Sequence, residues 1–222
     1  MTNRNVRLYI MGFIFIVLII LIDLGYEANG VIASRQQKNI PPLLLNSGLV
    51  EVAEAEVEVV FWFGEERSDS ASSFLQEQIR SQSGWRWEIH GVEIQAANWT
   101  QGLDSKQSLT VSGYRHLNAL EEAEIWTWFK TMAKKVELEG GKAYFDERVR
   151  AGIDGETYLR RNSFEPKQVA FSGTTSSIAG WQDGFFPEVK AGEDSVNIQL
   201  LTRSTSQGAM TVLAVPVLLE EF

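Results

Sequence analysis

The chain has 222 residues, a formal net charge of −9 and no cysteine. The lack of cysteine excludes a disulfide framework, a thiol nucleophile and a cysteine-based metal site. The acidic balance repels phosphate backbones, so we expect no nucleic-acid partner. Seven tryptophans and twelve phenylalanines indicate a well-filled globular body rather than a disordered stalk.

The first residues have the pattern of an export signal. Arg4 and Arg7 precede an uninterrupted apolar run from Leu8 to Ile22. Positive flanking charges remain on the cytoplasmic side of a membrane, so the bulk of the chain is expected to lie outside the cytoplasm. We interpret residues 1–33 as a signal peptide or a membrane anchor.

The sequence leaves open whether this leader is cleaved or retained. A helix over Leu8–Ile22 spans roughly 22 Å at about 1.5 Å per residue, which is shorter than the ~30 Å hydrocarbon core of a bilayer. Extending the helix to Leu24 includes Asp23, which could lie among the outer head groups. An anchor through residues 8–24 holds an extracytoplasmic domain at the cell membrane, whereas cleavage near Ala33 secretes the protein.

Residues 34–48 are predicted as a linker and a short lead-in, and residues 49–222 as the folded domain. Pro41 and Pro42 prevent helix formation at that point but favour a single helical turn after them, which Gly48 would end. The domain is expected to begin where the hydrophobic pattern changes to a period of two.

A long strand is predicted at the start of the domain. Glutamates and apolar residues alternate from residue 53 to residue 63, which is typical of a strand with one buried and one solvated face. A short helix capped by Asp69 and ended by Gly84 follows. Trp85–Ala97 and Gln107–Arg115 are then predicted as two paired strands.

The clearest predicted element is a helix over Ala119–Leu138. Asn118 and Glu121 fit a capping box at its start, and Gly140 follows its end. Its apolar residues lie within an arc of roughly 160° at 3.6 residues per turn. They are Ile125, Trp126, Trp128, Phe129, Met132, Ala133 and Val136. We expect this face to pack on the core.

Four strands are predicted after the helix. Their ranges are Ala143–Ile153, Ala170–Ile178, Val196–Thr202 and Met210–Leu219. Turn residues in Lys190–Asp194 and Ser206–Gly208 separate the later strands. Because the strands follow one another without a repeated strand–helix–strand rhythm, the predicted fold class is α+β with antiparallel sheet.

Short motifs in the C-terminal third carry a family resemblance. They are Phe186–Lys190 with Gly192, Val196–Leu200 with Arg203, and Val215–Val217 with Glu220–Phe222. Together with the order of elements from Leu44 onward, they resemble the YwmB-like family of Gram-positive spore-forming bacteria. The resemblance implies a secreted or membrane-anchored α+β protein built as two related halves, roughly 49–138 and 139–222. Their antiparallel sheets would pack on the long amphipathic helix.

The same resemblance limits what can be expected of a functional site. The TATA-box-binding-like label of the family describes a shape and implies neither a function nor catalytic residues. Family members have an amphipathic helix in the second half, whereas Glu156–Pro166 is short and is ended by its proline. The sequence leaves open whether this chain keeps that helix.

No catalytic or metal-binding motif is recognised in the sequence. His90 and His116 are the only histidines, and no triad, metal or phosphate-loop spacing is found. Asp146 and Glu147 are adjacent in a predicted strand, so their side chains point to opposite faces and cannot act as an acid–base pair. We assign no catalytic residue, no cofactor and no metal, and leave open whether the protein is an enzyme.

Two surface features are candidate partner-binding sites. The first is a basic cluster for an anionic partner, unless these charges are merely solvated, and it consists of Arg148, Arg150, Arg160 and Arg161. The second is the glycine-rich loop Ala179–Pro187, which can stack on a sugar or a partner, or fold back over the core. Its aromatic residues are Trp181, Phe185 and Phe186.

These observations favour an exported, membrane-anchored, non-catalytic envelope protein that acts as a binding or assembly module. Its partner would be another envelope protein or a wall component. The alternative is an extracytoplasmic, carboxylate-dependent hydrolase that acts on the cell wall, because such enzymes leave weak traces in a single sequence. A nucleic-acid binder, suggested only by the family label, is disfavoured by acidity and export.

Overall fold

The structure, a computed structural model, describes five ranges of the chain, namely residues 41–64, 74–79, 82–90, 108–206 and 208–218. The predicted leader, the helix cap at Asp69 and residues 91–107, which include the end of the strand predicted over Trp85–Ala97, lie outside these ranges. Among the described helices, none combines the length and the apolar character needed to cross a membrane.

Strands dominate the described part of the chain. In chain order they are β1 (Glu54–Phe63), β2 (Arg86–His90), β3 (Leu109–Asn118), β4 (Lys142–Val149), β5 (Glu165–Ser172), β6 (Thr175–Trp181), β7 (Val189–Ala191), β8 (Asp194–Val196), β9 (Ile198–Thr205) and β10 (Gly208–Val215). The helical elements are a 3-10 turn at Leu45–Ser47, a segment at residues 74–79, α1 (Ala119–Leu138) and α2 (Gly155–Asn162).

Eight of these strands form one antiparallel sheet. Their order is β2-β3-β1-β4-β10-β9-β6-β5, and β7 and β8 form a separate hairpin. The α+β class with antiparallel sheet is therefore confirmed. The two predicted halves meet inside this sheet, because β4 pairs with β1 on one side and with β10 on the other. One continuous sheet thus takes the place of the separate sheets that were expected for the halves.

The alternation of β1 gives the sheet a buried face. The apolar side chains of this strand that point toward α1 are at most 2 % exposed, whereas Glu54 and Glu56 on the other side are exposed. The buried set is Ala55, Val57, Val59, Phe61 and Phe63. Because a slip of one residue would turn this whole set toward solvent, the hydrophobic pattern specifies the register of the central strands.

Helix α1 packs on the buried face. Asn118 accepts the backbone N–H of Glu121 at 3.2 Å, and the Glu121 carboxylate accepts the backbone N–H of Asn118 at 3.1 Å, which completes the capping box. The ring of Phe129 lies 6.5 Å from the ring of Phe61 and 5.2 Å from that of Phe145. The main core therefore lies between α1 and the centre of the sheet.

One range predicted as a single strand is part of a hairpin formed by β5 and β6. The range Ala170–Ile178 was expected to be one strand, but it contains the turn of a hairpin. Gly173 adopts a φ of +58°, which glycine tolerates without steric cost, and the chain reverses there. The predicted range begins and ends on the apolar residues Ala170 and Ile178, but residues 172–177 are polar or glycine, and the turn lies among them.

The chain between β4 and β5 also differs from its prediction. The strand expected to reach Ile153 ends at Val149, and the Thr211 hydroxyl accepts the Ile153 N–H at 3.1 Å in place of a strand partner. The sequence left open whether this half contains a helix, and the structure has a short one, α2, with eight residues. Asp154 caps it by accepting the backbone N–H of Thr157 at 3.0 Å.

Candidate functional site

The two faces of the sheet differ in what covers them. On one face, aromatic rings of α1 pack on Phe145. Tyr158 of α2 lies near Glu147 on this face, and burial together with the charge of Glu147 raises the pKa of its phenol. Glu58 and Asp146 pair directly across β1 and β4, and successive side chains of a strand alternate, so both point to the other face. The described helices leave this second face uncovered, and we call it the open face.

A compact charge cluster lies at the centre of the open face. Glu58 and Asp146 are each only 7 % exposed, although two carboxylates directly opposite each other repel. Arg148 compensates for this, because its Nη2 atom lies 3.0 Å from Glu58 Oε2 and 3.5 Å from Asp146 Oδ2. Because β1 and β4 pair in this register, the two carboxylates and the guanidinium lie close enough to form one ion-paired group.

Tyrosines form the walls around this cluster. Tyr114 lies opposite Glu58 on β3, and burial, the charge of Glu58 and a hydrogen bond with Glu58 raise the pKa of its phenol above 10.0. Burial also raises the pKa of Tyr144 on β4. Both phenols therefore keep their protons at neutral pH and can donate hydrogen bonds. They border a cavity of about 290 Å³ that also contains His90, Thr110, Ser112 and Val60.

Two further cavities extend along the open face. One of about 250 Å³ shares Tyr144 with the central cavity and reaches Trp62, whose side chain is among the large exposed apolar ones at 37 % exposure. The Lys142 ammonium lies 5.5 Å from the centre of the Trp62 ring. The other cavity, of about 360 Å³, is lined by Glu56 and His116 among others. The open face is therefore a series of shallow polar depressions with aromatic borders.

The chemistry that this face offers is recognition. Ion-paired carboxylates accept hydrogen bonds, phenols donate them, and Trp62 presents an aromatic surface for stacking. Within the described ranges, no three histidine or acidic side chains are arranged to hold a metal ion. His90 lies 3.9 Å from Glu88 at an exposed site. Depressions of this kind suit an extended polar ligand better than a small apolar one.

The four arginines predicted as one basic cluster lie in different places. Arg148 is ion-paired in the charge cluster, and Arg150 borders the cavity beside Glu56. Arg160 and Arg161 are exposed on α2, and Arg161 donates to the carbonyl of Gly48 at 3.2 Å. The expected single cluster is therefore corrected, because β4 and α2 direct their arginines to different surfaces.

The predicted aromatic loop folds back over the core. Phe185 is only 6 % exposed, and its ring lies 5.2 Å from the ring of Trp126. Asn197 holds the loop by donating to the carbonyls of Gln182 and Phe185. Trp181 and Phe186 are half-buried in the same region. Phe185 is thus a core residue rather than a partner-binding one, and burial of its ring explains the conformation of the loop.

The sequence pointed to only part of the open face. The sequence assigned Arg148 to a surface cluster and placed Asp146 and Glu147 on opposite faces of one strand. Glu58 was counted only with the solvated face of the first strand, and Tyr114 and Tyr144 were not singled out. Their alternation along β1, β3 and β4 placed them on the outer side of each strand. Which of them meet across strands depends on pairing between segments that are far apart in the chain.

The open face has to be interpreted from its own chemistry. Its central carboxylates, guanidinium and phenols come from three strands that pair over long sequence separations. No known family model matches the chain, and no curated protein is significantly similar to it in sequence.

Proposed function

We propose that this protein is a non-catalytic binding module whose open face recognises an extended polar ligand. The observation that carries this proposal is the charge cluster of Glu58, Asp146 and Arg148 between two proton-bearing tyrosines on the sheet face that the described helices do not cover. Keeping ion-paired carboxylates nearly buried is costly for a purely structural role. Binding of a ligand that forms hydrogen bonds with this cluster explains why the protein has such an arrangement.

The setting we propose is the cell envelope. The basic and apolar pattern of residues 1–33 supports export, either with an anchor or after cleavage, and thus an extracytoplasmic domain. Membership of the YwmB-like family and a relation between the two halves of the domain remain part of the same proposal. The ligand would then be a wall component or a polar segment of another envelope protein.

Nucleic acid is not the ligand that this surface suits. The chain carries a net charge of −9, and Arg148 is already neutralised by Glu58 and Asp146. Arg160 and Arg161 lie on α2 rather than beside it. Phosphate contacts in number need a continuous row of available cations, which these arginines do not form.

A binding experiment tests the proposal directly. The full chain, in a neutral detergent, would be incubated with purified cell walls and with envelope membranes, and the bound fraction measured by sedimentation. Trp62→Ala removes the exposed ring of the open face, and Tyr144→Phe removes only a hydroxyl. We expect binding to weaken by about tenfold for Trp62→Ala, as for a truncated aromatic hot spot, and by less for Tyr144→Phe.

A matched control is available at the far edge of the sheet. Phe171 on β5 is 78 % exposed, so Phe171→Ala removes an exposed aromatic ring without touching the open face. Unchanged binding of this variant is expected. If Phe171→Ala abolishes binding while Trp62→Ala has no effect, the ligand does not bind to the open face and the proposal is wrong.

The hydrolase alternative is favoured by one observation, the convergence of Glu58 and Asp146 on a cavity. A retaining or inverting glycosidase needs two such carboxylates. Release of soluble fragments from cell walls by the full chain, abolished in Glu58→Gln, would establish that activity. Binding without fragment release supports the non-catalytic module.

Export has its own test. A reporter that is active only outside the cytoplasm, fused after Phe222, should be active in cells. Activity of a strictly cytosolic reporter at the same position would contradict the proposed location.

A further inference from the structure

The lead-in segment is attached to the domain through two acidic side chains. Its backbone N–H groups point at the carboxyl groups of Glu122 on α1 and Glu147 on β4. Leu44 donates to Glu147 Oε2 at 2.8 Å, Leu45 to Glu122 Oε1 at 2.7 Å, and Asn46 to Glu122 Oε2 at 3.1 Å. Three successive donors of one helical turn are thus satisfied by side chains that lie far away in the sequence.

The attachment is buried. Leu43 and Leu44 are 0 % exposed, so the lead-in contributes apolar surface to the core. Glu122 is 1 % exposed and Glu147 is 0 % exposed. The Tyr158 hydroxyl of α2 closes the site by donating to the carbonyl of Pro42 at 2.8 Å. Water therefore has little access to the two carboxyl groups.

Within the described residues, no lysine or arginine forms an ion pair with Glu122 or Glu147. On the neighbouring strands, Val57 and Leu213 lie directly opposite Glu147, and both are apolar. The titratable groups that face Glu147 are Glu122 from α1 and Tyr158 from α2, and the lead-in adds N–H groups and the Asn46 amide. Both acids accept the same Leu45 N–H, Glu122 Oε1 at 2.7 Å and Glu147 Oε1 at 3.4 Å, so the two carboxyl groups lie side by side, and a hydrogen bond between them requires a proton. Two bare carboxylates in this place would repel each other without a cation nearby.

We propose that Pro41–Ser47 is a proton-dependent latch, which stays docked while the Glu122–Glu147 pair holds a proton and is released when the pair loses it. In the docked state the neutral Glu147 carboxyl donates its O–H to a Glu122 oxygen, and the remaining oxygens accept the N–H groups of the lead-in. After deprotonation, charge repulsion replaces that hydrogen bond. Release lengthens the connection to whatever precedes residue 41 by up to about 3.3–3.6 Å per residue.

The direction of the pH effect follows from the environment of Glu147. Burial, and then the neighbouring Glu122 carboxyl, raise the pKa of Glu147 well above 4.5, while the N–H groups of Leu44 and Leu45 act in the opposite direction. A carboxyl with a raised pKa binds its proton more tightly in the docked state. Docking is therefore fully supported below the ordinary value and weakens as the pH rises through the docked-state pKa.

Hydrogen exchange on the full chain in a neutral detergent tests the latch. Protection factors of the Leu44, Leu45 and Asn46 amides would be compared at about pH 5.5 and about pH 8.5, with Val57 and Val59 in β1 as internal references. We expect the three lead-in amides to lose protection by at least about tenfold at the higher pH, one unit of differential pKa being worth a factor of ten. The β1 amides should stay protected.

Substitutions separate a latch from a merely structural contact. In Glu147→Gln the amide still accepts the Leu44 N–H and donates to Glu122 but cannot ionise, so protection should no longer depend on pH. Tyr158→Phe, the control, removes the bond to Pro42 and should lower protection equally at both pH values. If Glu147→Gln does not fold, Glu122→Gln serves instead, and it should reduce the pH-linked loss because it removes the like charge.

Three results would overturn the latch. One is unchanged protection of residues 44–46 in the wild-type chain between the two pH values. Another is loss of protection in β1 in step with the lead-in, which would mean global destabilisation. The third is the same pH-linked loss in the glutamine variant as in the wild type.

Discussion

Asp146 and Glu147 are neighbours in β4, but each lies beside a different acidic side chain, and the repulsion within the two acidic pairs is relieved in different ways. Asp146 points to the open face, where Arg148 lies within 3.5 Å and also binds Glu58. Glu147 points to the covered face, where it meets the carboxyl of Glu122 and backbone N–H groups of the lead-in. In the pair on the open face, the guanidinium offsets the negative charge of the acids, whereas in the pair on the covered face a bound proton does so.

The difference teaches how location decides the response of a carboxyl pair to pH. A guanidinium stays charged at all physiological pH values, so the cluster on the open face keeps its ion pairs over this range. A shared proton can be lost within that range when burial raises a pKa. The covered face is therefore the one that can respond to pH, and the open face the one suited to constant recognition.

The largest expected effect lies on the covered face, in the core that shields Glu147 from water. Phe129→Ala removes a fully buried ring between Phe61 and Phe145 and should lower the free energy of unfolding by about 3–5 kcal/mol. Chemical denaturation measures the loss. Thr131→Ala, on the exposed side of α1, should stay within about 0.5 kcal/mol of the wild type. Equal losses for both would mean that the helix does not present this face to the core.

The next effect concerns the cation of the open face. Arg148→Ala leaves Glu58 and Asp146 opposite each other without the guanidinium. Breaking a buried pair costs about 3–5 kcal/mol, and the Arg148 side chain is 28 % exposed, so we expect a loss of about 2–3 kcal/mol after allowing for solvent screening. Arg150→Ala, at an exposed residue directly after β4, should change stability by less than about 0.5 kcal/mol. A smaller loss for Arg148→Ala than for Arg150→Ala would contradict the ion-paired cluster.

The pH dependence of stability sharpens the contrast further. Because the pKa of Glu147 is raised above 4.5, its contribution is present below that value and is lost as the pH rises through the folded-state pKa. Glu147→Gln should therefore be more stable than the wild type at about pH 8, and closer to it at about pH 5. Thermal unfolding at both pH values measures this. A gain of equal size at both would show that ionisation is not involved.

Asp154 and Glu121 respond in the opposite direction. Their pKa values are lowered, that of Asp154 by hydrogen bonds from Thr157 and that of Glu121 by the backbone N–H of Asn118. Their contributions are present above the ordinary values and are lost as the pH falls through the lowered ones. Glu147→Gln should leave this acid-side loss unchanged, which provides an internal control for the preceding measurement.

The smallest effect on stability is expected at Trp62. The side chain is 37 % exposed on the open face, so Trp62→Ala should change the free energy of unfolding by no more than about 1 kcal/mol. The same variant should show the tenfold loss of ligand binding. A large loss of stability would mean that Trp62 serves the fold rather than recognition.

Local signals predicted elements well where one segment contains the whole pattern. The helix range Ala119–Leu138 and the box of Asn118 and Glu121 follow from hydrophobic period and capping, and both are observed as predicted. The opposite orientations of Asp146 and Glu147 also follow from strand geometry alone. The hairpin at Gly173 was missed, although this glycine lies in the polar stretch Ser172–Ser177, because a glycine within a predicted strand does not by itself distinguish a turn from a bulge.

The sequence by itself determined the strand alternation, the long capped helix and the absence of cysteine chemistry, because each depends on neighbouring residues or on composition. Only the tertiary structure decided that Glu58 meets Asp146 and that Glu122 meets Glu147. In the sequence Glu122 does not differ from Glu121 or Glu124, yet it alone of the three is buried. Strand pairing and helix packing bring together side chains from distant segments. The energy of a buried charge depends on the groups that surround it in space rather than on its sequence neighbours.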